Sequence, residues 1–384
     1  MTDSDLTRRR FLGRAASLTL MSSSLLTACG GVEGTAKKTP TAAPAASHPK
    51  TALTEIEFSN WPLYIDKKVI RDFEREQGVD LRYVEDINDN TEFFAKVRQQ
   101  LESGRPTGRD LVALTDWMAA QWIRLGYLEP VDKRNLPNVV ANLEESLRDP
   151  VFDKGRRFTV PWQSGITGIG YNRKAVGEIK SMKQLFDPRF KGKVSFLSDA
   201  RDSASMVLLM DGIRPDEANI DQVKSAIEKI DEQNRAGQIR RFTGNDYTTD
   251  LAKGNVVMAM AYAADLIQLK ADNPDLDFVI PEEGGTIWTD NMMLPKTTKN
   301  QYAAETMINY VYDPAVAAKI AAYVNYVTPV VGAKEALAES DPETADNQLI
   351  FPDEATLAKL HPYVDLNEDE EKQMNEAMQA VVGA

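Results

Sequence analysis

The sequence predicts an α/β protein of two lobes, each a mainly parallel sheet flanked by helices, with a ligand cleft between them. From residue 54 onwards, short apolar runs alternate with amphipathic helical stretches. That alternation is typical of α/β architecture. The length of 384 residues exceeds one ordinary domain and is sufficient for two hydrophobic cores.

The first 28 residues have the order of an export signal. The segment TRRRFLGRAASLTLMSSSLLTACGG carries a twin arginine at Arg8 and Arg9, then a modest apolar run, then LTAC. It resembles a twin-arginine signal joined to a lipoprotein box, and its apolar run is too short for a mature transmembrane helix. Cleavage would make Cys29 the lipid-modified first residue. We therefore expect a protein anchored to the outer face of the cytoplasmic membrane, in the periplasm or at the cell surface.

Composition excludes several classes of function. The formal net charge of -13 disfavours binding to nucleic acid or anionic lipid and favours cations. The only histidines are His48 and His361, so a histidine metal site or a serine-type triad has little support. With Cys29 the sole cysteine, no internal disulfide can form. We expect no cofactor, no metal and no nucleic-acid partner.

Residues 29–53 are rich in Gly, Ala, Thr, Pro and Lys, which indicates a flexible tether that includes His48. A βαβαβα pattern follows, and it predicts a parallel sheet with right-handed crossovers. The predicted strands are TEIEFSN, VDLRYVED and DLVALT, and the helices that follow them lie in IDKKVIRDFEREQG, NTEFFAKVRQQLESG and DWMAAQWIRLG.

A second α/β unit follows the extended segment FTVPWQSGITGIGYN. Its predicted strands are GKVSFLSD and GNVVMAMAYA, and its predicted helices are 201–212, 216–234 and ADLIQLKA. Two more helices, 301–312 and 315–323, come after the apolar stretch GGTIWTDNMMLP. Two such units joined by extended segments predict two lobes.

Aromatic and acidic residues recur just after the predicted strands, where open α/β sheets bind ligands. In the stretch GGTIWTDNMMLP, Trp288 and Asp290 leave the same face of one strand because they are two residues apart. Taken singly, each Asp at a helix start also fits a cap, and each aromatic fits core packing. The candidates are Trp61, Tyr64, Thr115, Trp117, Asp199, Asp202, Tyr262, Asp265, Trp288, Asp290 and Tyr326.

Carboxylates between aromatic walls suit an aliphatic chain that carries amines. Aromatic faces attract cations and pack on methylenes, and carboxylates accept charge-assisted hydrogen bonds from ammonium groups. Several carboxylates desolvated together are costly, so a bound polycation would relieve their repulsion.

Six segments follow one another along the chain: NWPLYI, DLVALTDW, FKGKVSFLSDARD, GNVVMAMAYAAD, PEEGGTIWTDNMMLP and YVTP. Their order and spacing resemble a known family, the periplasmic polyamine-binding proteins of ABC transporters, which are the spermidine/putrescine group of type 2 periplasmic binding proteins. The resemblance runs from about residue 56 to about residue 353. It implies a monomeric solute receptor, not an enzyme, that delivers putrescine or spermidine to an ABC permease.

The resemblance also implies roles for the candidate residues. Thr115 would supply a hydroxyl, and an acid at Asp265 is associated with members that prefer putrescine. The sequence departs from the family at Pro62, where a hydroxyl residue is usual, and near 361–363, where a C-terminal Gln has no clear counterpart. The implied aromatic box is Trp61, Tyr64, Trp117, Tyr262, Trp288 and Tyr326, and the implied acids are Asp199, Asp202 and Asp290.

The resemblance implies two crossings between lobes, near 162–165 and 288–290. We therefore predict one lobe from 54–163 plus 290–327 and a second from 164–289 plus 328–384. Three alternatives stay open: a receptor of the same fold for another small cationic amine, a carboxylate-dependent hydrolase, and a sensory or adhesive module without transport. The hydrolase would use Asp199 and Asp202, which are one helical turn apart and too close for inverting geometry.

Overall fold

The computed structural model describes residues 46–383, in which strands and helices alternate as predicted. The strands there are β1 (Glu55–Asn60), β2 (Asp80–Glu85), β3 (Leu111–Thr115), β4 (Leu128–Glu129), β5 (Thr159–Asn172), β6 (Val194–Leu197), β7 (Ile239–Thr243), β8 (Met258–Tyr262), β9 (Leu276–Val279), β10 (Gly285–Pro295) and β11 (Leu360–His361). The helices there are α1 (Lys67–Gln77), α2 (Asn90–Glu102), α3 (Asp116–Arg124), α4 (Pro137–Asn142), α5 (Arg173–Val176), α6 (Ala200–Met210), α7 (Ile220–Arg235), α8 (Tyr247–Ala252), α9 (Ala263–Asp272), α10 (Gln301–Val311), α11 (Pro314–Val324), α12 (Ala333–Ala338), α13 (Pro342–Ala345), α14 (Glu354–Leu357) and α15 (Glu368–Val382). The predicted signal segment, Cys29 and the tether up to residue 45 lie outside this range. Between residues 46 and 383, no helix has the length and hydropathy required to cross a bilayer.

The predicted elements of the first α/β unit form within a few residues of their expected positions, because local signals define their ends. Helix α1, for example, follows Asp66, whose carboxylate accepts a hydrogen bond from the backbone N–H of Lys68 at 2.8 Å. It ends at Gly78, whose φ of 67° is the left-handed conformation that glycine adopts readily.

The central sheet has the strand order β2-β1-β3-β10-β5-β8-β6-β7. Strand β1 pairs in parallel with β2 and β3, and β6 pairs in parallel with β7 and β8. Between these two parallel groups, β10 and β5 pair with each other in antiparallel fashion. The two predicted sheets are therefore halves of one sheet, joined by the two long strands that cross between the lobes.

The two largest hydrophobic cores of residues 46–383 lie along this sheet. The first lobe comprises β1–β3 with α1–α3, α10 and α11, and the second lobe comprises β6–β8 with α6, α7, α9 and α15. Phe58 is fully buried in the first core and Phe196 in the second. Strand β5 contributes Trp162 to the first core and Ile169 to the second. Each lobe thus has its own apolar interior, as its length requires.

The chain returns to the second lobe later than residue 328. Val330 and Ala333 are buried in the first core, and Leu337 packs with Ala318 of α11. Helix α15 then joins the second core through Met374. The packing differs from the predicted division because the apolar faces of α12 and α13 match α11, a contact that local patterns do not specify.

The packed chain also begins before the predicted end of the tether at residue 53. The backbone N–H of His48 donates to Asp132 at 2.8 Å, and its imidazole Nδ1 lies 2.6 Å from Glu305 Oε1. The guanidinium of Arg134 donates to the hydroxyl of Ser47 at 2.8 Å. Because Glu305 is fully buried and its carboxylate needs partners, His48 belongs to the first lobe rather than to the tether.

Candidate ligand site between the lobes

A cavity of about 460 Å³ lies between the lobes, at the carboxyl ends of β1, β3, β6 and β8. Its described lining contains no Lys, Arg or His and includes six aspartates, of which Asp89 and Asp272 were not predicted. All eleven sequence-predicted residues line this one cavity, namely Trp61, Tyr64, Thr115, Trp117, Asp199, Asp202, Tyr262, Asp265, Trp288, Asp290 and Tyr326. The cavity is thus acidic, aromatic and positioned where strand ends from both lobes meet.

Asp290 is buried on β10 and is held by a hydroxyl from the first lobe. The Thr115 hydroxyl donates to Asp290 Oδ1 at 2.8 Å, and the Asn90 amide donates to the Thr115 hydroxyl at 3.0 Å. Burial raises the pKa of Asp290 to about 7, and the hydrogen bond from Thr115 opposes that shift only in part. The carboxylate therefore lies in a site where its charge is poorly solvated.

The backbone around Asp290 is irregular. Thr289 pairs with Ser164 of β5, but Asn291 pairs with Pro161, so two residues of β5 lie opposite the single residue Asp290. This is a β-bulge, a feature that re-aims side chains and is common next to functional sites. On its other side Asp290 pairs regularly with Thr115 of β3.

Asp202 is buried on α6 and accepts three hydroxyl hydrogen bonds. The hydroxyls of Thr167 and Tyr363 donate to Oδ1 at 2.7 Å each, and the Tyr262 hydroxyl donates to Oδ2 at 2.9 Å. Burial, together with the nearby charge of Asp199, raises the pKa of Asp202. Tyr363 occupies the region where the resemblance suggested a glutamine, so a different side chain supplies a polar contact there.

Asp199 and Asp265 have different surroundings. Asp199 is the N-cap of α6, where its Oδ1 accepts the backbone N–H of Arg201 at 2.7 Å, so its capping role is confirmed. Asp265 is partly buried and accepts hydrogen bonds from the Tyr247 hydroxyl and, at 3.1 Å, from the Asn245 amide. Burial raises the pKa of Asp265 to about 6.

Aromatic rings form a continuous wall between these acids. The ring of Trp288 lies 5.4 Å from Tyr262 and 5.9 Å from Tyr326, measured between centroids. Tyr326 is in turn 4.9 Å from Tyr64 in an edge-to-face arrangement. The wall therefore spans both lobes, with Tyr64 from the first and Tyr262 from the second.

Trp288 can lie against β5 only because residue 165 has no side chain. A Cβ at Gly165 would be 2.2 Å from Cζ2 of the indole, far inside van der Waals contact. The indole N–H donates to the Thr167 hydroxyl at 3.2 Å, which orients the ring along the strand. Gly165 thus determines where the central wall of the cavity stands.

Trp117 differs from the other predicted wall residues. The guanidinium carbon of Arg201 lies 4.1 Å from the centroid of the Trp117 ring. A cation of the protein itself therefore covers part of this ring.

Sequence reasoning missed several polar residues that hold the acids. Thr167 follows Gly165 by two residues on the crossing strand, so its presence at the site could have been inferred from alternation along β5. Tyr247, Asn245 and Tyr363 had no such signal. Asn245, just before α8, and Tyr363, in the C-terminal segment, line the cavity, whereas Tyr247 of α8 contacts Asp265 from outside the lining. Neither segment was predicted as part of the site.

Comparison with known proteins places the chain in a family. The model of the bacterial extracellular solute-binding proteins matches residues 68–352. The chain is 28% identical to spermidine/putrescine-binding periplasmic protein 1 of Haemophilus influenzae, over 88% of this chain and 89% of the relative. It is 27% identical to the putrescine/cadaverine-binding protein of Pseudomonas aeruginosa, over 85% and 92%. A crystal structure of a spermidine/putrescine ABC transporter substrate-binding protein from Streptococcus pneumoniae is similar, with 25% identity, a TM-score of 0.73 and coverage of 85% and 98%. The chain belongs to the bacterial extracellular solute-binding proteins.

Proposed function

We propose that this protein binds a polyamine, putrescine or spermidine, in the cavity between its lobes and delivers it to an ABC importer. One observation carries the proposal. Asp202, Asp265 and Asp290 line the cavity, and among residues 46–383 none of them forms a salt bridge with a Lys, Arg or His. Carboxylates that are largely withdrawn from water without a cationic partner are costly, and a bound diammonium compound would supply that partner.

The arrangement suits the shape of such a ligand. Asp290 approaches from the strand shared by the lobes, whereas Asp202 and Asp265 approach from α6 and α9 of the second lobe. Between them, Trp288 and Tyr326 offer apolar surface to a methylene chain. We infer that one ammonium group binds at Asp290 and another at Asp202 or Asp265.

The similar proteins support this assignment, because two curated relatives from different bacteria are named for binding polyamines. Both relatives are 27–28% identical to this chain over most of its length and most of their own. The curated relatives are named as binding proteins, and the solved structure from Streptococcus pneumoniae is named as a substrate-binding protein of an ABC transporter. These names support a receptor over an enzyme.

The hydrolase alternative has less support from the site. Asp199 is engaged as a helix cap, and both oxygens of Asp202 already accept hydroxyl hydrogen bonds. A receptor for another small cationic amine would use the same acids. Binding measurements with different amines distinguish it from a polyamine receptor.

A thermal-shift screen tests the proposal. The screen compares four polyamines, namely putrescine, cadaverine, spermidine and spermine, with two compounds of the same chain length as putrescine. Butane-1,4-diol lacks both positive charges, and butylamine lacks one of them. At 100 times Kd, a ligand stabilises the folded state by about 2.7 kcal/mol, which raises the melting temperature by roughly a few degrees. We expect stabilisation by at least one polyamine and none by the diol. The same screen includes sugars, anions and neutral amino acids, and stabilisation by these compounds alone would overturn the proposal.

We also propose that the chain is a monomer exported by the twin-arginine route and anchored to the membrane by a lipid on Cys29. The motif LTAC after a twin arginine supports the export route and the lipid anchor. In fractionated cells, the Cys29→Ala variant should move from the membrane fraction to the soluble fraction, while a Ser23→Ala control stays with membranes. Membrane association that survives Cys29→Ala would contradict the anchor.

A further inference from the structure

Helix α3 of the first lobe faces α6 and α15 of the second lobe across the cleft. Trp117 and Arg124 are seven residues apart on α3, so they lie on one face of the helix, two turns apart. Both side chains make their cross-lobe contacts on this face, and neither contact involves the cavity acids Asp202, Asp265 or Asp290.

Two residues of the second lobe contact this face of α3. The first is Arg201 of α6. It is 4% exposed, and its guanidinium carbon lies 4.1 Å from the centroid of Trp117. A guanidinium is planar and weakly hydrated, so it stacks on an indole better than an ammonium does. The stack joins the second lobe to the first.

Glu371 of α15 is the second. Its Oε1 accepts a hydrogen bond from Arg201 Nη2 at 2.5 Å, and its Oε2 accepts one from Arg124 Nη2 at 3.2 Å. Glu371 is nearly buried, with 12% of its side chain exposed. One carboxylate therefore binds two arginines, one from each lobe.

We propose that Arg201 and Glu371 are positioning residues that clasp α3 and hold the cleft closed. The clasp is the series Trp117, Arg201, Glu371 and Arg124, in which the first and last members belong to the first lobe. This inference rests on the proposed function, because it describes how closure of the same site is stabilised. When the lobes separate, the contacts of Trp117 with Arg201 and of Arg124 with Glu371 break together. The Arg201–Glu371 pair remains intact because both residues belong to the second lobe.

The clasp has a defined consequence for binding. Apparent affinity falls in proportion to the fraction of protein in the binding-competent closed state. Because Glu371 does not line the cavity, its loss reduces the affinity for every ligand by the same factor. A residue that contacts the ligand would instead change the ranking of ligands.

The Glu371→Gln variant tests the clasp, with titration calorimetry and stopped-flow dissociation for putrescine and spermidine. We expect both Kd values and both dissociation rates to rise by about fivefold to tenfold, with their ratio unchanged. Arg124→Gln should have a smaller effect of about twofold to threefold, since 43% of that side chain is exposed. The Kd of the double variant should rise by less than the product of the two single increases, because both substitutions remove the same contact between Arg124 and Glu371.

Asp231→Asn is the matched control, since Asp231 pairs with Arg235 within one helix of the second lobe. Small-angle X-ray scattering of ligand-free protein should show a larger radius of gyration for Glu371→Gln but not for the control. Unchanged Kd values in Glu371→Gln, or a change in the ratio of the two Kd values, would overturn the clasp. If the wild-type protein binds no polyamine, the proposed function fails while scattering still decides the clasp.

Discussion

Replacing Asp290 with Asn should weaken polyamine binding by at least tenfold, a loss of about 1.4 kcal/mol or more. The substitution keeps the shape of the side chain and its hydrogen bond with Thr115 but removes the charge that would receive an ammonium group. A charge-assisted hydrogen bond is roughly twice as strong as a neutral one, and burial of Asp290 amplifies the difference. Calorimetric titration with putrescine at pH 8 measures the effect.

The folded state should tolerate this change. Asn avoids the cost of burying a carboxylate, so the melting temperature of the ligand-free variant should equal or exceed that of the wild type. Asp80→Asn serves as control because Asp80 is exposed at the start of β2. An Asp290→Asn variant that melts normally and binds polyamines with unchanged affinity would refute the proposed site.

Affinity for a polyamine should fall steeply as pH is lowered from 8 to 5.5. Burial raises the pKa of Asp290 to about 7 and that of Asp265 to about 6, while aliphatic ammonium groups remain charged throughout this range. The ligand binds the ionised carboxylates, so protons compete with it below these values. For Asp290 alone the Kd should increase about 30-fold across the range, with more added by Asp202 and Asp265.

The same raised pKa values make folding depend on pH in the opposite direction from ligand binding, so that lower pH favours the folded state of the ligand-free protein. A carboxyl whose folded pKa is raised favours the folded state most below its unfolded pKa, and this contribution is lost as pH rises through the folded value. For Asp290 the window runs from about pH 4 to about pH 7. Because the ligand binds more tightly when Asp290 is ionised, a given polyamine concentration should stabilise the protein more at pH 8 than at pH 5.5.

Titrations at constant ionic strength test this pH dependence, because salt screens charges independently of protonation. The Asp290→Asn variant should show a shallower dependence, since one titrating group has been removed. A wild-type Kd that is constant between pH 5.5 and 8 would show that no acid in the cavity has to lose a proton on binding.

Much of the candidate site followed from the sequence because its residues sit at predictable places. Trp61, Thr115 and Tyr262 come at or just after predicted strands, and parallel strands bring those ends to one edge of a sheet. Trp288 and Asp290 line the same cavity, as their spacing along one strand predicted. Their role in ligand binding stays a prediction that the experiments above decide.

The rest of the site depends on contacts between residues far apart in the chain. Tyr363 reaches Asp202 across 161 positions of sequence, and Glu371 reaches Arg201 across 170. A single sequence has no local signal for such pairs. The bulge of β5 opposite Asp290 is likewise absent from any periodic pattern.

The sequence by itself determined the α/β class, the strands and helices that carry most of the site, and the chemical character of the site, because apolar periodicity and strand-end residues are local properties. Strand β7 and helix α15 were not predicted. Only the tertiary structure decided that one sheet runs through both lobes, that residues 330–345 stay with the first lobe, and that His48 joins the fold. It also decided that Trp117 is covered by Arg201. These features arise where distant surfaces meet, and their free energies depend on shape and burial that exist only once the chain has folded.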